Sequence, residues 1–94
     1  MDLPTAAEAN PLVAEPKELF VNIDQNGVFF VGGKTLDIDG VEQVLRQAVQ
    51  DNPRGQSVII RADRRSELEA VVHTINLCNK SGVRHRLTTT GGGR

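Results

Sequence analysis

The chain has 94 residues and a mass of 10.2 kDa, enough for one small domain. A domain of that size buries only about 60–65% of the surface its unfolded chain exposes, so it gains much from a partner and has no room for two substrate lobes. Eleven lysines and arginines against twelve aspartates and glutamates leave a net charge of −1, without the basic balance of a nucleic-acid or anionic-membrane binder. The only aromatic residues are Phe20, Phe29 and Phe30, too few for a base- or sugar-stacking platform.

Residues 1–17 contain Pro4, Pro11 and Pro16 separated by alanine, glutamate and threonine, a composition that favours an extended tether. Residues 18–23 alternate, with Leu19, Val21 and Ile23 on one face and Phe20 and Asn22 on the other, which predicts a strand. Asp24-Gln25-Asn26-Gly27 predicts a turn, with Asn26 and Gly27 both suited to positive φ, and residues 28–31 a return strand. Gly32-Gly33-Lys34 predicts a second turn, and Thr35-Leu36 a short additional strand edge.

Asp37 is placed to cap a helix over 38–52, with Leu36 and Val41 as a hydrophobic staple and Ile38, Val41, Val44, Leu45, Ala48 and Val49 at three-and-four spacing. Pro53 ends it. The continuous Val58-Ile59-Ile60 run within a strand over 57–61 suits a strand buried on both faces or one central in the sheet. Ser66 and Glu69 fit a capping box for a second helix whose stripe is Leu68, Val71, Val72, Ile75 and Cys78, with Lys80 in its last turn and Gly82 at the left-handed position. Residues 83–90 predict a last strand and 91–94 a disordered tail. The order ββαβαβ predicts an α+β fold, one mixed sheet with two helices packed on one face.

No catalytic carrier is visible. Gly33-Lys34-Thr35 ends like a phosphate-binding loop, but Val28 stands where the motif needs glycine, so a hairpin turn is expected there. His73, Cys78 and His85 are the only soft ligands; His73 and Cys78 diverge on one helix, so no metal is expected. No serine, histidine and carboxylate assemble a nucleophile. Neither an enzyme nor a cofactor is expected. The lone cysteine forbids an internal disulfide, and no run of about 18 apolar residues is present to span a bilayer. Asp63-Arg64-Arg65 follows the buried strand and precedes a helix, a place where side chains are often presented to partners. Asp63 there has two readings, a turn cap paired with Arg61 or Arg65, or with Arg64 a partner contact. Leu3 and Pro4 form an extended segment able to add to a sheet edge.

Taken in order, these features resemble the periplasmic domain of the ExbD/TolR family. Ser57-Val58-Ile59-Ile60-Arg61-Ala62-Asp63-Arg64 resembles the family's hydrophobic strand ending in Arg-Ala-Asp-Lys. Val71-Val72 to Gly82-Val83 resembles its helix with a Gly-Val step, Leu3-Pro4-Thr5-Ala6 the segment that follows its transmembrane helix, and Val28-Phe29-Phe30-Val31-Gly32-Gly33-Lys34 its hairpin. Leu68 departs from a common tyrosine, and Arg86 and Thr88 from common apolar residues.

The resemblance implies an inner-membrane-anchored periplasmic domain of an ion-driven energy transducer, its transmembrane helix missing from this chain. It also implies a homodimer, an ExbB/TolQ-like channel subunit, and a TonB/TolA-like partner or peptidoglycan, with no nucleic acid. The expected pairing edges are the hairpin strand 28–31 and the final strand, with Leu87, Thr88 and Thr89 as the dimer edge. The competing reading is a cytosolic ferredoxin-like regulatory domain that binds a small anion near Gly32-Gly33 or Asp63-Arg64-Arg65.

Overall fold

The computed structural model describes residues 16–91. In chain order the elements are β1 (Lys17–Ile23), β2 (Phe29–Val31), β3 (Lys34–Leu36), α1 (Ile38–Asp51), β4 (Gln56–Asp63), α2 (Leu68–Ser81) and β5 (Arg84–Thr90). They form one five-stranded mixed sheet of order β3-β2-β1-β4-β5. β1–β2 and β2–β3 are antiparallel, β1–β4 and β4–β5 parallel. The expected α+β architecture is present, and the short edge at Thr35-Leu36 is a true third strand.

Local chemistry explains each turn. Asp24 Oδ1 accepts from the amides of Asn26 and Val28, both at 2.9 Å, closing a side-chain-built turn. Of the two residues suited to positive φ, only Gly27 adopts it, at 80°. The β2–β3 hairpin turns through Gly32 and Gly33, at φ 59° and 80°; two successive positive values close a two-residue loop whose twist matches the strands, and glycine takes them without strain.

Asp37 caps α1, its Oδ1 accepting from Gly40 N at 2.8 Å, and the helix stops at Asp51, one residue before the expected end, because Asn52 leaves helical geometry ahead of Pro53. Leu36 packs against this first turn at Gly40, where an added Cβ would stand 3.2 Å from the Leu36 Cβ. For α2 the expected capping box does not form. Glu67 occupies the cap without a side-chain bond, and the Ser66 hydroxyl donates instead to the Asp63 carbonyl at 2.7 Å. Gly82 ends α2 at φ 71°, as predicted.

The core lies on one face of the sheet. Val21, Ile23, Phe29, Val31, Val58, Ile60 and Ala62 point the same way and pack with Val41 and Leu45 of α1 and Val71 and Cys78 of α2. Both helices therefore cover this face. Leu68, expected in the α2 stripe, is 75% exposed and Val72 is also exposed; the buried positions are Val71, Thr74 and Cys78. The helix is rotated so that Thr74 enters the core, its hydroxyl satisfied by the Ala70 carbonyl at 2.9 Å. Among the described residues, no helix is long and apolar enough to cross a membrane.

A free strand edge and an open sheet face

The two sheet edges differ in kind. Among the described residues β3 offers three residues, whereas β5 offers seven beside β4 alone, so within that set one side of its main chain has no neighbouring strand. The hairpin strand 28–31, expected to be an edge, is an interior strand, because β3 folds back onto β2 through Val31↔Lys34, Phe30↔Thr35 and Phe29↔Leu36. Leu87, Thr88 and Thr89 all lie on β5, and the register places Leu87 beside Ile60 on the helix-covered face. There it remains 44% exposed, since an edge strand has a neighbour on one side only.

At the far end of β4 the structure separates the triplet 63–65 into distinct roles. The Asp63 carboxylate accepts from the Arg65 amide at 2.8 Å and from the Arg65 guanidinium at 3.1 and 3.2 Å. These bonds hold its carboxyl below the usual aspartate value and raise the Arg65 guanidinium. Of the two partners considered for Asp63, the structure selects Arg65; Arg61 instead donates to Asn22 Oδ1 at 2.9 Å and stacks over the Phe20 ring at 4.3 Å. The Arg64 amide donates to the Thr90 carbonyl, tying the end of β5 to this turn. Leu3 and Pro4 lie outside the described residues. Asp63 and Arg64 are thus close to β5, and Asp63 is engaged in building the turn.

The sheet face opposite the helices carries an arrangement that the sequence reading missed. A groove of about 880 Å³ lies over the starting halves of the three parallel strands, with Phe20 and Ile59 in its floor and Arg54, Arg84 and Arg86 around it. All three arginines are exposed, and none makes an ion pair among the described residues. Pro16, the residue from which the chain enters β1, lines the same groove. The signal was the period-two spacing of Arg84 and Arg86, which puts both guanidinium groups on one face of a strand.

No group of three or more histidine, cysteine or acidic side chains suited to a metal occurs among the described residues. Cys78 is fully buried, and burial pushes its thiol up to about 11, far from a reactive thiolate. His73 is exposed on α2, and the half-buried His85 ring lies 3.1 Å from the Val83 carbonyl.

The described residues thus leave a long strand edge with one neighbouring strand and a groove ringed by arginines on the open sheet face. A family model described as biopolymer transport protein ExbD/TolR matches residues 1–90. A search of curated proteins found no match.

Proposed function

The chain belongs to the ExbD/TolR family of biopolymer transport proteins, and from that premise we propose that it is the periplasmic, force-transmitting domain of an inner-membrane energy transducer. In this reading a membrane anchor on the N-terminal side joins the domain to an ExbB/TolQ-like channel subunit, ion flow drives rearrangement there, and residues 1–17 act as the tether. The domain dimerises and passes the motion to a TonB/TolA-like partner or to peptidoglycan. It performs no chemistry of its own.

The observation that carries the reading is the free seven-residue edge of β5. A strand edge presents alternating donors and acceptors, so it pairs with a second chain without any catalytic group. Leu87, Thr88 and Thr89 are the proposed dimer contacts, threonine being well suited to a pleated, half-buried surface. Asp63 and Arg64 flank that edge, and Leu3-Pro4 is the proposed added strand segment.

Sedimentation equilibrium of the wild-type chain and of the Thr88→Lys/Thr89→Lys variant tests this. Charge on an edge opposes pairing, so the wild type is expected to be a concentration-dependent dimer and the variant a folded monomer. A wild-type monomer at millimolar concentration, or a dimer indifferent to the substitutions, would overturn the proposed edge.

A further inference from the structure

We infer that the open sheet face is a docking surface for an anionic phospholipid bilayer, which it meets through Arg54, Arg84 and Arg86 and through the apolar floor of Phe20 and Ile59. The net charge of −1 averages over two layers of opposite sign. α1 and α2 with their cap residues hold the carboxylates of Asp37, Asp39, Glu42, Asp51, Glu67 and Glu69 against two cations, Arg46 and Lys80, both of which are bound to Glu42. The face opposite the helices is basic. Arg84 and Arg86 stand on it two residues apart on β5, Arg54 lines it from the α1–β4 loop, and Arg61 lies over Phe20 at 4.3 Å. All four arginines are exposed, and Glu18 is the one carboxylate in the groove lining.

This combination matches a layer of anionic headgroups. A guanidinium offers a planar, bidentate fork to phosphate oxygens and is weakly hydrated, so it pairs with them readily. Alternate residues of a strand share one face, which lets several arginines reach a flat surface together. Phe20, 37% exposed, adds apolar area beside them, and apolar burial with attraction to anionic lipid is what sets interfacial binding.

The chain also enters the domain at this face, since Pro16 lines the groove. The choice of a bilayer rests on the membrane anchor of the proposed function. The fifteen residues ahead of Pro16 reach at most about 54 Å, so an anchored domain meets the headgroups at a high effective concentration. Docked this way, the acidic helices face away from the bilayer. The β5 edge, whose pairing groups point along the sheet, stays open to a second strand.

The test is co-sedimentation of the 94-residue chain with vesicles of phosphatidylcholine, alone or mixed equally with phosphatidylglycerol, in about 0.01 M salt. The fraction bound to the anionic vesicles is expected to be roughly tenfold higher, and the difference should vanish in about 1 M salt, where screening acts within roughly 3 Å. Arg84→Glu/Arg86→Glu should reduce binding to the neutral-vesicle level. Lys34→Glu/Arg46→Glu makes the same change in net charge away from the face and should keep most of the binding. A second readout needs no substitution: with nitroxide-labelled headgroups, amide signals of Phe20, Ile59 and Arg86 should broaden while those of Glu69 and His73 stay sharp.

Equal or absent binding to the two vesicle types would overturn the inference, as would equal losses in both variants or broadening centred on the helices. Shifts of the same amides that grow with protein concentration in the absence of vesicles would assign the face to the acidic helix layer of a second copy. Shifts with soluble polyglutamate but not with vesicles would assign it to an acidic protein. The vesicle experiment uses the chain without an anchor, so its failure leaves the anchor and the β5 edge standing, and their failure leaves its result standing.

Discussion

Asp63 shows how one side chain fixes a connection. Its carboxylate gathers the Arg65 amide and guanidinium, its carbonyl takes the Ser66 hydroxyl and amide, and an added Cβ on Gly91 would stand 2.8 Å from its Oδ2. The end of β5 is therefore drawn against this turn, and Gly91, at φ 66°, admits no larger residue without strain.

Among the described residues Glu42 is a further carboxylate with a lowered pKa, through the Lys80 ammonium at 3.3 Å and the Arg46 guanidinium at 2.8 Å. Both carboxyls titrate below their ordinary values of 3.8 and 4.5, so their stabilising bonds are complete above those values and are lost as pH falls through the depressed folded ones. A urea midpoint that declines below about pH 4 in the wild type, with a shallower decline in Asp63→Asn/Glu42→Gln, is the expected result. Cys78 supplies a kinetic readout. Its alkylation at pH 8 should proceed only through opening of the core, in step with global unfolding.

Helix starts and hairpin turns show where local sequence is decisive and where it is not. Asp37 caps α1 through a bond to an amide three residues on, and its replacement by alanine is expected to cost about 1 kcal/mol in denaturant unfolding. Ser66→Ala should cost α2 no capping bond, because the hydroxyl serves the Asp63 carbonyl. A polar residue at the expected cap position thus gave a cap in one helix and none in the other.

The reason lies in the connecting turn. Ser66 is claimed by the bend that Asp63 builds, and the helix begins only after Glu67. At the β2–β3 hairpin, Gly33→Val should destabilise by roughly 1–3 kcal/mol, the strain of a branched residue at positive φ. Thermal unfolding of the variant checks the value. Loss of this turn would also uncover β2, because β3 alone separates β2 from solvent at that edge.

For the whole molecule the margin is thin. Leu45 is wholly buried between α1 and the sheet, and Leu45→Ala is expected to cost about 2–5 kcal/mol. Against a total of roughly 5–15 kcal/mol for a single domain, that lowers the melting midpoint by about 4–8 °C for each kcal/mol lost. Differential scanning calorimetry measures it directly. A domain so near its limit is further stabilised by any partner that binds only the folded form, and a second copy at β5 would raise the midpoint with protein concentration.

The sequence by itself determined the local choices. Alternation in residues 18–23, the glycine pairs, the Asp37 cap and the Val58-Ile59-Ile60 run each specify an element through contacts only a few residues apart, and all appear where expected. The family's strand and hairpin motifs were legible for the same reason. Strand order, helix rotation and side-chain company depend on residues far apart in the chain. Tertiary structure therefore decided that β2 is interior, that Thr74 and not Leu68 faces the core, and that Asp63 bonds to Arg65 while Arg61 turns to Phe20 and Asn22. The arginine-lined groove belongs to the same class. Arg54 comes from a loop and Arg84 and Arg86 from the last strand, and only the parallel register of β1, β4 and β5 sets them around Phe20 and Ile59 at the point where the chain enters the fold.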